Sequence, residues 1–142
     1  MQWKLTMDEA VIKYYKTLIK SGFKHMGLIE NPSLVLKDES GERIRICSSV
    51  GSYIRLQFII NNNVITGIKY LCTCNPASHV AIEILCTLIE GKTLDEAAAT
   101  TVDSFFQVLG SKSEELRPKA KSLIELLKIG IGQFQHNTKI IL

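Results

Sequence analysis

Two cysteines one residue apart, Cys72 and Cys74, stand directly before Asn75 and Pro76, and chemistry, if the chain has any, belongs there. Asparagine caps helices well because its side-chain oxygen accepts an orphan backbone N–H, and proline at the first helical position has no N–H to waste. The residues leading to Cys72 read as a strand, so the strand hands thiols straight to a helix N-terminus. The partial positive charge there favours thiolate over thiol, the form that binds metal or attacks an electrophile. A Cys-x-Cys at such a corner can chelate one metal or form a redox pair. The same positions also suit small buried hydrophobes, and Cys72 shares its strand face with Ile68 and Tyr70.

The remaining candidates are sorted by reach. Cys86 follows Cys74 by twelve positions on one predicted helix, about 18 Å along the axis at ~1.5 Å per residue. Metal-sulfur bonds are about 2.3 Å, so the two cannot share one metal, and Cys86 reads as structural. Cys47 lies in a serine-rich loop. His79 is one turn inside the helix, off its apolar stripe and on the side of Glu83 and Cys86. It reads either as a solvated histidine or as a substitute ligand able to swing toward Cys74. His25 and His136 fall in a loop and a tail without an evident role. There is no Ser-His-Asp arrangement, phosphate loop or His-x-x-x-His spacing, so a catalytic centre is not expected.

The totals narrow the setting. A length of 142 residues with 46% hydrophobic and 22% charged side chains fits one globular domain with its own core. The net charge of +3 comes without a Lys/Arg run or basic stripe, which disfavours nucleic acid. No apolar run nears the ~20 residues of a membrane span, and Asp8 and Glu9 interrupt any signal core. A cytoplasmic location is expected, with the four cysteines as thiols or metal ligands rather than disulfides.

The elements that must position these residues follow from periodicity. Thr6 and Glu9 have capping-box spacing, and Val11, Tyr14 and Leu18 recur at helical intervals until Gly22, which predicts a helix over about 7–21. From Ser33 the period becomes two. Strands are predicted at Leu34-Val35-Leu36, at Arg43 to Ile46, over Ile54 to Ile60, and over 64–72 after an Asn61-Asn62-Asn63 turn. Beyond Pro76 the pattern is helical. One helix ends at Gly91, Thr93 opens the next over about 94–99, a third covers 101–109, and a long one covers 113–129. Residues 131–142 read as a loose tail. The expected fold is α+β in two layers: an antiparallel three- to four-stranded meander with an N-terminal helix and a C-terminal set of helices on one face, one domain over 1–142 with its core at about 7–130.

This order, with several local strings, resembles the U-type iron-sulfur cluster assembly scaffolds, the family of the NifU N-terminal domain and IscU. Glu30-Asn31-Pro32 matches the family's ENP, Gly51 to Gln57 is similar to its GDVMKLQ, and Gly91-Lys92-Thr93-Leu94-Asp95-Glu96-Ala97 matches its GKTLDEA. Leu116-Arg117-Pro118-Lys119 loosely resembles the LPPVK string by which some scaffolds engage a chaperone. The resemblance implies a non-enzymatic scaffold or carrier that binds iron or an Fe-S cluster, with Cys47, Cys72 and Cys74 as ligands. It also implies cysteine desulfurase or other assembly proteins as partners, and a monomer or weak homodimer. Cys74 falls at the family's second ligand position. Its third falls on Ala120 or Leu123, and Val50 and Ser52 flank Gly51 where the family has a cysteine and an acid. The alternatives are zinc at the same corner, with His79 recruited, and a metal-free protein-interaction module that keeps the fold.

Overall fold

The computed structural model describes residues 8–39, 53–73 and 75–141. Its elements are α1 (Glu9–Ser21), β1 (Leu34–Glu39), β2 (Tyr53–Asn61), β3 (Val64–Cys72), α2 (Pro76–Ile89), α3 (Leu94–Ala98), α4 (Val102–Leu109) and α5 (Leu116–Ile141). The expected strand over 43–46 and the turns around it lie outside the described residues. Those residues form an antiparallel sheet in the order β1-β2-β3, with one set of buried apolar side chains shared between sheet and helices.

The hairpin between β2 and β3 turns on Asn62 and Asn63, with φ of 51° and 66°. Asparagine tolerates this left-handed region, and two such residues in succession suit the twist of a tight hairpin. On β2, Ile54, Leu56 and Phe58 are buried against the helices. Gln57 is buried as well: its amide donates to the Gly27 carbonyl (2.9 Å) and accepts from the Ile29 N–H (3.0 Å), tying the 22–33 loop to β2.

The free edge of β3 is covered at both ends. Tyr70 donates its N–H to the His25 carbonyl (2.8 Å) and accepts from the Gly27 N–H (2.9 Å). Toward the other end, Ile65 donates to the Lys92 carbonyl and accepts from the Gly91 N–H, both at 2.8 Å. An exposed strand edge is a template for unwanted pairing, and these short segments close it.

α2 is the central helix, buried almost all round through Val80, Ala81, Ile82, Ile84, Leu85 and Ile89. The Thr93-Glu96 capping box that opens α3 is present with both of its hydrogen bonds.

Two sequence expectations are corrected. First, α1 begins at Glu9 behind Asp8 rather than at the Thr6 capping box. Asp8 is held from the far end of the chain: its N–H donates to Glu115 Oε1 (3.0 Å), and its carboxylate accepts from the Ser113 hydroxyl. Second, residues 131–141 are not a tail but the last turns of α5. The apolar stripe of Leu116, Ala120, Leu123 and Leu127 continues through Ile131, which is 2% exposed, and Phe134 packs on the same core. Gly130 of this helix marks a close approach to β1. A Cβ there would run into the Leu36 side chain.

Candidate metal and cluster corner

β3 and α2 meet at the corner the thiols predict. Cys72 pairs with Ile54 in the ladder, and the pairing runs one step further, since the Thr73 N–H donates to the Tyr53 carbonyl at 3.1 Å. Cys72 is partly buried, packs against the core and is disulfide-bonded, whereas Cys86 is free and fully buried. The expectation of thiols without disulfides is thereby corrected for Cys72. The physical reason is that two thiols brought within bonding distance oxidise to a disulfide, which a count of cysteines in sequence does not reveal. Cys47 and Cys74 lie outside the described residues. Burial, with the Glu83 and Glu90 carboxylates behind it, pushes the Cys86 thiol well up, which keeps it protonated and structural.

The cap of α2 forms as its sequence dictates. Asn75 Oδ1 accepts from the Ser78 N–H at 2.9 Å, with Pro76 in the first turn. Lys119 of α5 reaches this turn and donates to the buried Ser78 hydroxyl at 3.1 Å. Its burial lowers the pKa of the ammonium, against the opposing pull of Glu115. A cation and a helix N-terminus thus converge beside Asn75, a combination that favours anions such as thiolates. Ala120 and Leu123 are both fully buried and offer no donor, whereas Lys119 next to them reaches the first turn of α2. Arg117 instead pairs with Glu114 (3.0 Å) and lies over the Phe106 ring.

His79 is not the solvated histidine that its stripe suggests. It is half-buried, edge-on to Phe23 at 5.4 Å between centroids, with Nδ1 3.2 Å from the Tyr70 hydroxyl. Burial lowers its pKa, partly offset by the Glu83 charge, so the neutral imidazole, the metal-binding form, is favoured.

Behind Tyr70 lies a polar cluster that sequence reasoning missed. Glu83, 2% exposed, accepts from both the His25 N–H (3.2 Å) and His25 Nδ1 (2.9 Å). The other ring nitrogen of His25 meets Glu90 Oε1 at 3.1 Å. Burial first, and then the Glu83 charge, raise the pKa of the Tyr70 hydroxyl. Half the signal is legible: His79, Glu83 and Glu90 share one face of an otherwise apolar helix and demand a polar partner. The partner, His25, sits in a loop 58 positions away from Glu83 and carries no local cue. His136 is exposed on α5. Among the described residues no group of three or more His, Cys, Asp or Glu side chains is placed to hold a metal, and no helix is long and apolar enough to cross a membrane.

Comparison with known proteins follows the same lines. Residues 22–140 match the model of the NifU-like N terminal domain. Two solved structures share the fold at low identity. One, described as an iron-sulfur cluster assembly scaffold protein for the SUF system of Fervidobacterium islandicum AW-1, aligns with a TM-score of 0.63 and 19% identity, covering 89% of this chain and 97% of that one. The other, a nitrogen-fixing NifU-like protein (N-terminal) from Brucella abortus, gives 0.60 and 12%, covering 91% and 94%. No match was found among curated proteins.

Proposed function

This chain belongs to the NifU-like N-terminal domain family, non-catalytic scaffolds of iron-sulfur cluster assembly, and from that premise we propose that it carries an iron-sulfur cluster or a single iron on Cys47, Cys72 and Cys74. The observation that supports this most is the run of β3 through Cys72 to the Asn75-capped N-terminus of α2, with the Lys119 ammonium beside it. Thiolates are soft anionic donors suited to iron-sulfur clusters, which usually take four. Three from one chain leave a position for an acceptor's thiol, which suits a cargo that must leave again. The cationic surroundings at Lys119 and the α2 N-terminus offset the negative charge of such a cargo. A cysteine desulfurase or another assembly protein would be the supplying partner, in the cytoplasm, with the chain a monomer or weak homodimer.

The test is iron, zinc and acid-labile sulfide per chain on protein purified without oxygen, read before and after thiol reduction and in Cys74→Ala. Iron with sulfide is expected only after reduction, and to be lost in the variant. Reduced protein that takes up neither iron nor sulfide would overturn the reading and leave a metal-free interaction module. A second reading is zinc at the same corner with His79 as a nitrogen ligand, favoured by the neutral, half-buried state of that ring. Zinc without sulfide, lost in His79→Gln, would select it.

A further inference from the structure

We propose that the outward face of α1, with the segment over 22–28 beside it, is a docking surface for an acidic amphipathic helix of a partner protein. The exposed large hydrophobic side chains among the described residues, Ile19 (58%), Met26 (38%) and Leu28 (69%), all fall between positions 19 and 28. Apolar side chains exposed together in one stretch mark a contact site, whereas single ones scattered over a surface do not. The same stretch is basic. Lys13, Lys16, Lys20 and Lys24 are exposed, and among the described residues none of them has an ion pair. The sequence shows no basic stripe because these lysines stand three and four positions apart between apolar residues. At 3.6 residues per turn the first three come onto one face of α1, opposite the buried Val11 and Leu18, and Glu9 is the one acid of the helix.

The apolar part is spaced for a helix. Ile12, Tyr15 and Ile19 recur at i, i+3 and i+7, a two-turn seam beside the lysines. The Tyr15 ring meets Phe23 edge-on at 5.8 Å between centroids, which joins this seam to the segment after the helix. That segment is already fixed: Met26 is bridged to Tyr70, the Gly27 N–H donates to the Tyr70 carbonyl, and the buried His25 sits between Glu83 and Glu90. A surface held in place before contact loses little freedom on binding. A helix laid along the seam turns its flanking positions toward the lysines, so glutamates or aspartates there complete ion pairs and lysines there repel. The surface also borders the candidate corner, since Phe23 packs on His79 of α2 at 5.4 Å and Tyr70 precedes Cys72 by two residues of β3. A partner seated here would stand beside any cargo at that corner. This last placement rests on the proposed function, whereas the docking itself does not.

The test uses the full chain, reduced and metal-free, with two synthetic helical peptides of about three heptads, one with a leucine seam flanked by glutamates and one with the same seam flanked by lysines. In amide NMR spectra the glutamate peptide is expected to shift resonances within 9–28 and the lysine peptide none. The triple variant Lys13→Glu, Lys16→Glu, Lys20→Glu is expected to bind the glutamate peptide roughly tenfold or more weakly and to gain the lysine peptide, a swap of preference that loss of structure does not produce. Ile19→Ser is expected to weaken the glutamate peptide without gaining the other. A glutamate peptide that fails to bind, that binds the triple variant equally well, or that shifts resonances elsewhere overturns the proposal. So does binding seen only after deletion of residues 1–7, which would make the chain's own N-terminus the occupant, and so does tighter binding of phosphatidylserine vesicles or oligouridylate RNA than of the peptide. Peptide binding by protein that takes up no iron supports the docking surface and overturns the cluster reading alone.

Discussion

Glu83 concentrates more of this protein's risk than any other single side chain. It is a carboxylate at 2% exposure, and its neighbours His25 and Tyr70 are both buried. Removing it leaves the buried His25 main-chain N–H and ring nitrogen without their acceptor, and each buried polar group left unsatisfied costs about 1–3 kcal/mol. Glu83→Ala is therefore expected to lower the urea-unfolding free energy by about 3 kcal/mol. Glu90→Ala, whose side chain is 39% exposed, should cost about 1 kcal/mol or less. Equal losses in the two would mean that the cluster is not organised around Glu83. His79 gives a pH signature with a definite sign. Its folded pKa lies below the ordinary 6.5, so the unfolded chain binds the proton more readily. Its contribution is present in full above that value and is lost as the pH falls toward the folded pKa. Between pH 7.5 and 5.5 the urea midpoint of metal-free protein should fall more in the wild type than in His79→Gln.

At the scale of elements, α5 shows how two glycines can do opposite things two residues apart, on opposite sides of the helix. Gly130 lies where β1 crosses the helix, and any Cβ there meets the buried Leu36 side chain, whereas at Gly132 nothing lies within 4 Å. Gly132→Ala should stabilise by about 0.5–1 kcal/mol through helix propensity alone. Gly130→Ala gains the same propensity but meets overpacking of about 1–3 kcal/mol, so it should be neutral to destabilising. Paired thermal melts read the difference, and equal stabilisation by both would mean that β1 and α5 are not in this contact. Truncation after Gly130 is a second test of the same helix. Loss of Ile131, Phe134 and the Gln135-Asp95 hydrogen bond should cost at least about 2 kcal/mol. A melt unchanged by the truncation would restore the loose tail.

For the molecule as a whole, what was readable depended on whether a feature is local. The Asn75-Pro76 cap, the Asn62-Asn63 hairpin and the Thr93-Glu96 box are each complete within four residues, and all are present. The α+β order was readable because period two gives way to period 3.6 at Pro76. Features that depend on distant partners were not readable. Asp8 replaces the expected cap of α1 because Ser113 and Glu115 reach it, and His25 has a role only because α2 passes beneath it. The close approach of Gly130 to Leu36 is likewise a contact between distant parts of the chain. The candidate corner was half readable: the strand end and the helix cap follow from sequence, whereas the oxidised state of Cys72 does not. Lys119 on Ser78 and Tyr70 on His79 are facts of packing.

The covered edge of β3 also has a mechanical side. Tyr70 and Ile65 each spend both backbone groups on segments outside the sheet, while β2 holds the opposite edge through Ile54 and Cys72. A strand pinned along both edges cannot slip its register, and a slip of one residue would turn Cys72 to the opposite face. The sulfur at its end therefore has a fixed address, and any motion that opens the corner comes from what flanks the strand rather than from the strand itself.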